Sequence, residues 1–240
     1  MRNSERFILA YNAITKELEK MLQIKKYVPF HQLLEMAKKK NGVIEHYLND
    51  LRDITYLRNA IVHDKNYPET AIAEPHTHIV EKLEHILKEI QKPQKIIPLF
   101  EKDVKTLKET STLSEVLHLM KSYSYTQFPV FNDNQFLGLI TDRSIVRWMA
   151  QNIDDIEVKI RKDDIKVSDI LLVQKAKKNV VFVDKNQNVF DIQQKFLNHR
   201  DQYLTRLEAV LITETSDPLE KLLGIITPFD LLQTNSFKCY

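Results

Sequence analysis

The sequence predicts an α+β multidomain chain, an N-terminal all-α helical bundle followed by two copies of a small β-α-β-β-α unit. Three observations carry this. Up to Ile90 the apolar residues recur at helical spacing, whereas beyond Pro98 short strand-like runs alternate with short helical ones. Between the two regimes lies Lys92-Pro93-Gln94 to Pro98, whose two prolines suit a linker. The phrase Phe136-Leu-Gly-Leu-Ile-Thr-Asp-Arg-Ser-Ile145 returns as Leu222-Leu-Gly-Ile-Ile-Thr-Pro-Phe-Asp-Leu231, and it holds Gly138 and Gly224, two of only 3 glycines in 240 residues. A doubled phrase in so glycine-poor a chain marks an internal repeat. The expected division is 1–92 for the bundle, 93–98 for the linker, 99–151 for the first unit, 152–166 for a connection and 167–240 for the second unit.

The elements follow in order. Phe7, Ala10, Tyr11, Ile14, Leu18, Met21 and Leu22 form one stripe of a long amphipathic helix. Pro29 opens a second helix through Leu33, Leu34, Met36 and Ala37, with a left-handed glycine end expected at Asn41-Gly42. The third helix buries Ile44, Leu48, Leu51, Ile54, Leu57 and Ile61 and ends near His63 to Lys65, before the turn Asn66-Tyr67-Pro68. A fourth runs from about Glu69 to Ile90. In the first unit, Thr112-Leu-Ser-Glu115 matches a capping box and opens a helix with Leu113, Val116, Leu117 and Met120 on one face. A strand at 128–131, a turn at Asn132-Asp133-Asn134, a strand through Gly138 to Thr141 and a helix through Ile145, Val146 and Met149 complete it. The second unit repeats the order: strand 180–183, helix 189–197, strand 209–212, turn Ser216-Asp217-Pro218, strand 222–227 and helix 229–233.

Composition narrows the function. Lys and Arg number 35 against 33 Asp and Glu, a formal net charge of +2, so the strongly basic average of a generic DNA binder is missing. The single cysteine, Cys239, excludes a disulfide framework and a Cys-based zinc site. No apolar run approaches the roughly 18 to 20 residues of a membrane span. These features lead us to expect a soluble cytoplasmic protein without a membrane partner.

The repeated phrase carries chemistry of its own. A strand ending in Thr227 and turning at once into a helix presents a hydroxyl and free N–H groups, and Asp230 faces the same way on the first turn. A carboxylate there can accept ribose hydroxyls. The matching positions of the first unit are Thr141 and Ser144, with Arg143 and Arg147 beside them, so the two copies differ in charge. The same residues also serve as helix caps. Strand-helix-strand-strand-helix closed by Gly-apolar-Ile-Thr-x-x-Asp resembles the CBS domain, and the tandem pair resembles a Bateman module, over roughly residues 96–235. The resemblance implies clefts between pseudo-symmetric halves for an adenosine-containing ligand: AMP, ATP, a cyclic dinucleotide or S-adenosylmethionine. It also implies that Thr227 and Asp230 contact ribose and phosphate, with Thr141 and Ser144 as counterparts; Arg143 and Arg147, at that helix start, are placed to reach the phosphate oxygens of a more anionic ligand. Tyr125-Thr126-Gln127-Phe128-Pro129-Val130 resembles the family segment that holds adenine, which marks Phe128, Pro129 and Val130, and Arg206-Leu-Glu-Ala-Val210 is its counterpart. His199-Arg200 reads as a solvated helix end.

One constellation lies outside the repeat. Arg58-Asn59-Ala-Ile-Val-His63 resembles the signature of the HEPN superfamily, small helical domains many of which are metal-independent ribonucleases that pair their motifs across a homodimer. That resemblance implies RNA as a substrate, His63 moving the 2′-hydroxyl proton and Arg58 stabilising charge on the phosphate, with Asn59 beside it. On a regular helix Arg58 and His63 stand about 140° apart, so one helix does not bring them side by side. The alternative is a non-enzymatic bundle that dimerises or binds a partner, because cations near a helix C-terminus are stabilising in themselves. His76 and His78 lack a recognised metal-ligand spacing, and no metal is expected.

Overall fold

The computed structural model describes residues 1–62, 73–152, 161–173, 179–203 and 206–234, without the side chains of residues 200–203. His63, the end of the third helix, the turn at 66–68, Arg200's side chain and Cys239 lie outside the described residues. The chain divides into two compact units, one of Met1–Gln94 with Asn188–Gln194, the other of Lys95–Gln187 with Lys195–Tyr240.

The first unit is helical: α1 (Asn3–Leu22), α2 (Phe30–Ala37), α3 (Gly42–His46), α4 (Leu48–Val62) and α5 (Thr77–Gln91). The α1 stripe falls where helical spacing puts it, with Phe7, Ala10, Tyr11, Ile14 and Leu18 buried and Met21 and Leu22 packed at the edge. Full burial of one side chain such as Leu18 contributes roughly 1.5 to 3 kcal/mol. Val80, Leu83, Ile86 and Ile90 give α5 its buried face. A two-pronged ion pair joins α1 to α5, Arg6 Nε to Glu84 Oε1 at 3.0 Å and Nη2 to Oε2 at 2.6 Å.

Four details of the helical unit depart from the sequence reading. Met36 is exposed, because Leu33, Leu34 and Ala37 fill the buried face of α2. The third helix is two helices, α3 and α4, separated at Tyr47. Residues 73–76 are not helical, and α5 starts only at Thr77, after Pro75. Gly42 closes no helix and has no positive φ. Instead it is the first residue of α3, whose cap is the Asn41 side chain accepting from the Val43 and Ile44 amides. Space is what demands glycine there: a Cβ would lie 2.7 Å from the Phe190 carbonyl carbon and 2.8 Å from the Asp191 amide nitrogen. At this close approach the Gly42 amide donates to Asp191 Oδ1 at 3.0 Å, and Phe190 is wholly buried in the bundle core.

The second unit contains α6 (Ile96–Leu99), β1 (Leu107–Lys108), α7 (Leu113–Tyr123), β2 (Gln127–Asn132), β3 (Gln135–Thr141), α8 (Asp142–Asn152), α9 (Val167–Leu172), β4 (Val180–Asp184), α10 (Val189–Tyr203), β5 (Ala209–Thr213), β6 (Gly224–Ile226) and α11 (Pro228–Leu232), with the first turn of α10 counted in the helical unit. Two three-stranded sheets, β1-β2-β3 and β4-β5-β6, share one topology, parallel in the first pair and antiparallel in the second. The duplicated phrase is thus a duplicated fold. Leu139 from the first sheet packs with Ala209, Leu211 and Ile225 from the second in one shared core.

The capping box at Thr112 forms as read, with Thr112 Oγ1 accepting from the Glu115 amide at 3.3 Å and Glu115 Oε2 from the Thr112 amide at 3.0 Å. Both expected turns carry a left-handed residue, Asp133 in one and Ser216 in the other. Leu117 and Val146, placed by periodicity on buried faces, are exposed, since α7 and α8 each cover their sheet along a narrower stripe. His199, read as a solvated helix end, is buried. Three elements went unread, the short helix α6, the short strand β1 and the helix α9, whose Val167 and Ile170 join the first sheet's core.

Candidate functional site

The two copies of the repeated phrase end in the same local device. Thr227 caps α11: its Oγ1 accepts from the Asp230 amide at 3.3 Å, and Asp230 Oδ2 accepts from the Thr227 amide at 2.7 Å. Thr141 and Ser144 do likewise, with Thr141 Oγ1 accepting from the Ser144 amide at 3.0 Å and Ser144 Oγ from the Thr141 amide at 2.8 Å. Surroundings separate them. Thr141 and Ser144 are buried, and the Ser144 hydroxyl also donates to the Thr141 carbonyl at 2.6 Å, so the Ser144 hydroxyl is satisfied inside the fold. Thr227 and Asp230 are half-buried and line a cavity of about 280 Å³. Among the described residues no hydrogen bond uses Asp230 Oδ1 or the Thr227 hydroxyl proton. A carboxylate oxygen and a hydroxyl donor therefore stay available there.

Three segments wall this cavity. Residues 124–126 come from the α7 to β2 connection and Gln127 from the start of β2, Ile225, Thr227, Phe229 and Asp230 from the end of β6 and the start of α11, and residues 102–105 from the stretch before β1. Phe229 and Tyr125 are exposed aromatic walls, and Tyr125 stacks on Tyr123 with ring centroids 5.7 Å apart. Exposed rings at a cavity mouth offer faces for a planar base. The Gln127 carboxamide lines the cavity too, and its buried Oε1 has no hydrogen-bond partner. Turning that group toward a ligand donor would forfeit no bond.

Of the segment Tyr125 to Val130, the first three residues line this cavity. Phe128 and Val130 point into the core of the first sheet, and Pro129 is buried, so none of the three lines the cavity. Alternation along β2 is the reason: residues two apart share a face, and the apolar pair claims the core. Residues 124–126, which precede the strand, and its first residue, Gln127, do the lining. Arg143 sits elsewhere, its Nη1 3.5 Å from Glu208 Oε1, while Arg206 Nε lies 4.0 Å from Glu208 Oε2. Two guanidinium groups thus bracket one carboxylate near the start of β5.

Lys102 and Lys105 are site residues that sequence reasoning missed, because they belong to no motif and precede an unread strand. Their order in the fold explains their place. The Lys102 amide donates to the Leu223 carbonyl at 3.1 Å and Glu101 bridges to Gly224, so residues 100–102 run alongside β6. Lys105 Nζ bonds Asp103 Oδ2 at 2.5 Å. That hydrogen bond holds the Asp103 carboxylate below its usual range and the Lys105 ammonium above its own.

In the helical unit Arg58 lies 5.8 Å over the Tyr11 ring, its Nη1 donates to Asn59 Oδ1 at 3.4 Å, and its buried Nε has no hydrogen-bond partner. Burial pushes the Tyr11 phenol up. His63 lies outside the described residues, so its geometry with Arg58 and Asn59 is not defined. The His76 and His78 rings stack 5.7 Å apart. Among the described residues no group of three or more His, Cys, Asp or Glu side chains is placed to hold a metal ion, and no helix is long and apolar enough to cross a membrane.

Comparison with known proteins bears on the second unit. The family model for the CBS domain matches residues 97–151 and 167–235, more than half of the chain. Similar solved structures include a CBS domain protein, TA0289, from Thermoplasma acidophilum, 20% identical, covering 60% of this chain and 71% of that chain with a TM-score of 0.43. Another is the CBS-domain containing protein ATU1752 from Agrobacterium tumefaciens, at 19% identity, 55% and 89% coverage and a TM-score of 0.41. A third is the CBS domain pair of protein MJ0100 in complex with 5′-methylthioadenosine and S-adenosyl-L-methionine, at 16% identity, 59% and 94% coverage and a TM-score of 0.43. No curated protein matches the chain.

Proposed function

Because the chain belongs to the CBS domain family, with a tandem pair in its second unit, we propose that it is a cytoplasmic regulatory protein that senses an adenine nucleotide. The observation that carries this reading is the half-buried Thr227 and Asp230 pair on a cavity with exposed aromatic walls. In the proposed complex Asp230 Oδ1 accepts a ribose hydroxyl, the Thr227 hydroxyl donates to the ligand, and the base lies near Tyr125 and Gln127. At about 280 Å³ the cavity is at the small end of the range for small-molecule sites. That size favours one mononucleotide or nucleoside over a cyclic dinucleotide. The burial of Thr141 and Ser144 favours one working cleft rather than two.

Asp230→Asn tests the site directly. Asparagine keeps an oxygen to accept the Thr227 amide, so the helix cap persists, while the charged acceptor is lost. A hydrogen bond to a charged group contributes about 1.5 to 3 kcal/mol, so AMP affinity measured by titration calorimetry falls roughly ten- to hundredfold. Unchanged affinity would rule out ribose recognition by Asp230.

The regulated output in this proposal is the helical unit, acting as a HEPN-like domain in a homodimer and cleaving RNA with Arg58, Asn59 and His63. The motif supports that reading. A specific contact favours the second, a non-enzymatic bundle that mediates dimerisation or partner binding: Arg58 already serves the fold by packing over Tyr11. Under the enzymatic reading, wild-type protein cleaves single-stranded RNA without added metal, and Arg58→Ala and His63→Ala each lower the rate at least a hundredfold with the helical content intact. No cleavage by the wild type selects the second reading.

A further inference from the structure

Four charged groups, Lys102, Asp103, Lys105 and Asp230, line the proposed ligand cavity, and their pairing is uneven. Lys105 is committed, its ammonium hydrogen-bonded to Asp103 and 5.7 Å above the Tyr123 ring. Lys102 is not: its Nζ stands 3.9 Å from Asp230 Oδ1, beyond hydrogen-bond reach, and makes no hydrogen bond among the described residues. It is also held in place by its backbone. The Lys102 amide bonds the Leu223 carbonyl, and Gly224, which leaves room for the Phe100 carbonyl, lets this segment lie against β6.

We infer that Lys102 is a specificity residue that makes this cavity select a phosphorylated nucleoside over a neutral or cationic one, an inference that rests on the adenosine reading of the same site. The physical reason is the neighbourhood of Asp230. A carboxylate that accepts ribose hydroxyls repels a phosphate carried a few ångströms away on the same sugar, since unit charges interact as 1/r. An ammonium 3.9 Å from that carboxylate offsets its charge and still has all three donors to give to phosphate oxygens. At roughly one-third side-chain exposure for both partners, 35% for Lys102 and 29% for Asp230, the pair is shielded enough to discriminate yet reachable from the cavity. A sulfonium-bearing adenosine would place positive charge beside the same ammonium. The selected class is therefore a mononucleotide with at least one 5′-phosphate.

The test is titration calorimetry of the whole chain with AMP, adenosine and S-adenosylmethionine as separate probes, on wild type, Lys102→Gln and Lys185→Gln. Thermal unfolding without ligand checks that each variant folds. The wild type should bind AMP at least tenfold more tightly than either other probe. Lys102→Gln should lose about tenfold in AMP affinity and change adenosine affinity less than twofold. Lys185→Gln, which removes a lysine charge outside the cavity, should leave AMP affinity within about twofold. Adenosine binding as tightly as AMP, or equal losses for both probes in Lys102→Gln, overturns the charge selection while leaving the adenosine site standing. Absence of binding by all three probes overturns both.

Discussion

Gly224→Ala should destabilise the second unit by about 3 kcal/mol or more, whereas Gly138→Ala should cost about 1 kcal/mol. The two glycines occupy the same place in the repeated phrase, yet their neighbours differ. A Cβ at Gly224 would lie 2.2 Å from the Phe100 carbonyl oxygen and 3.2 Å from its carbon. That backbone cannot retreat easily, being tied by the Phe100 amide to the Ile96 carbonyl at 2.8 Å and by the Lys102 amide to the Leu223 carbonyl at 3.1 Å. At Gly138 the close neighbour is the Leu171 Cδ2 methyl, at 2.9 Å. A leucine end changes rotamer at modest cost. Urea unfolding of both variants measures the difference. Because the displaced segment carries Lys102, Gly224→Ala should also lower AMP affinity by at least the tenfold expected for Lys102→Gln. Equal losses in the two variants would falsify the account of unequal neighbours.

Phe190→Ala should cost the helical unit about 3 to 5 kcal/mol, the range for emptying a buried aromatic site. Phe190 is fully buried in the bundle core, near His46 and Tyr47, with ring centroids 5.0 and 5.8 Å away. Its neighbours cannot close the gap, because the same turn is fixed by the Gly42 amide to Asp191 Oδ1 bond and by the His46 Nδ1 contact with Gln193 Oε1 at 3.1 Å. The measurement is denaturant unfolding followed by far-ultraviolet circular dichroism, where the helical unit dominates the signal. A loss below about 1 kcal/mol would show that the bundle completes its core without this residue.

Both predictions rest on contacts between residues far apart in sequence, and the limits of the sequence reading lie in the same place. Helical spacing located the α1 stripe residue by residue, since one face of an isolated amphipathic helix needs only one partner surface. Spacing failed at Met36, Leu117 and Val146, where the apolar pattern is wider than the face that the neighbours cover. The candidate site divides similarly. Thr227 and Asp230 stood out because a repeat advertises them, and they line the cavity. Phe128, Pro129 and Val130 do not line it, although strict alternation along the strand already assigned Phe128 and Val130 to a common face. Lys102 left no comparable pattern.

What the sequence determined by itself is the order of elements, the duplicated sheet unit and the residues of the two caps, all of which depend on neighbours within a few positions along the chain. Tertiary structure decided which copy stays open. The same reciprocal cap is buried at Thr141 and Ser144 but half-buried at Thr227 and Asp230. It also decided why each glycine is glycine, through a backbone at Gly42, a methyl at Gly138 and a carbonyl at Gly224. Distant segments supply those neighbours, and a local pattern of residue types holds no record of which distant atoms will come within 3 Å.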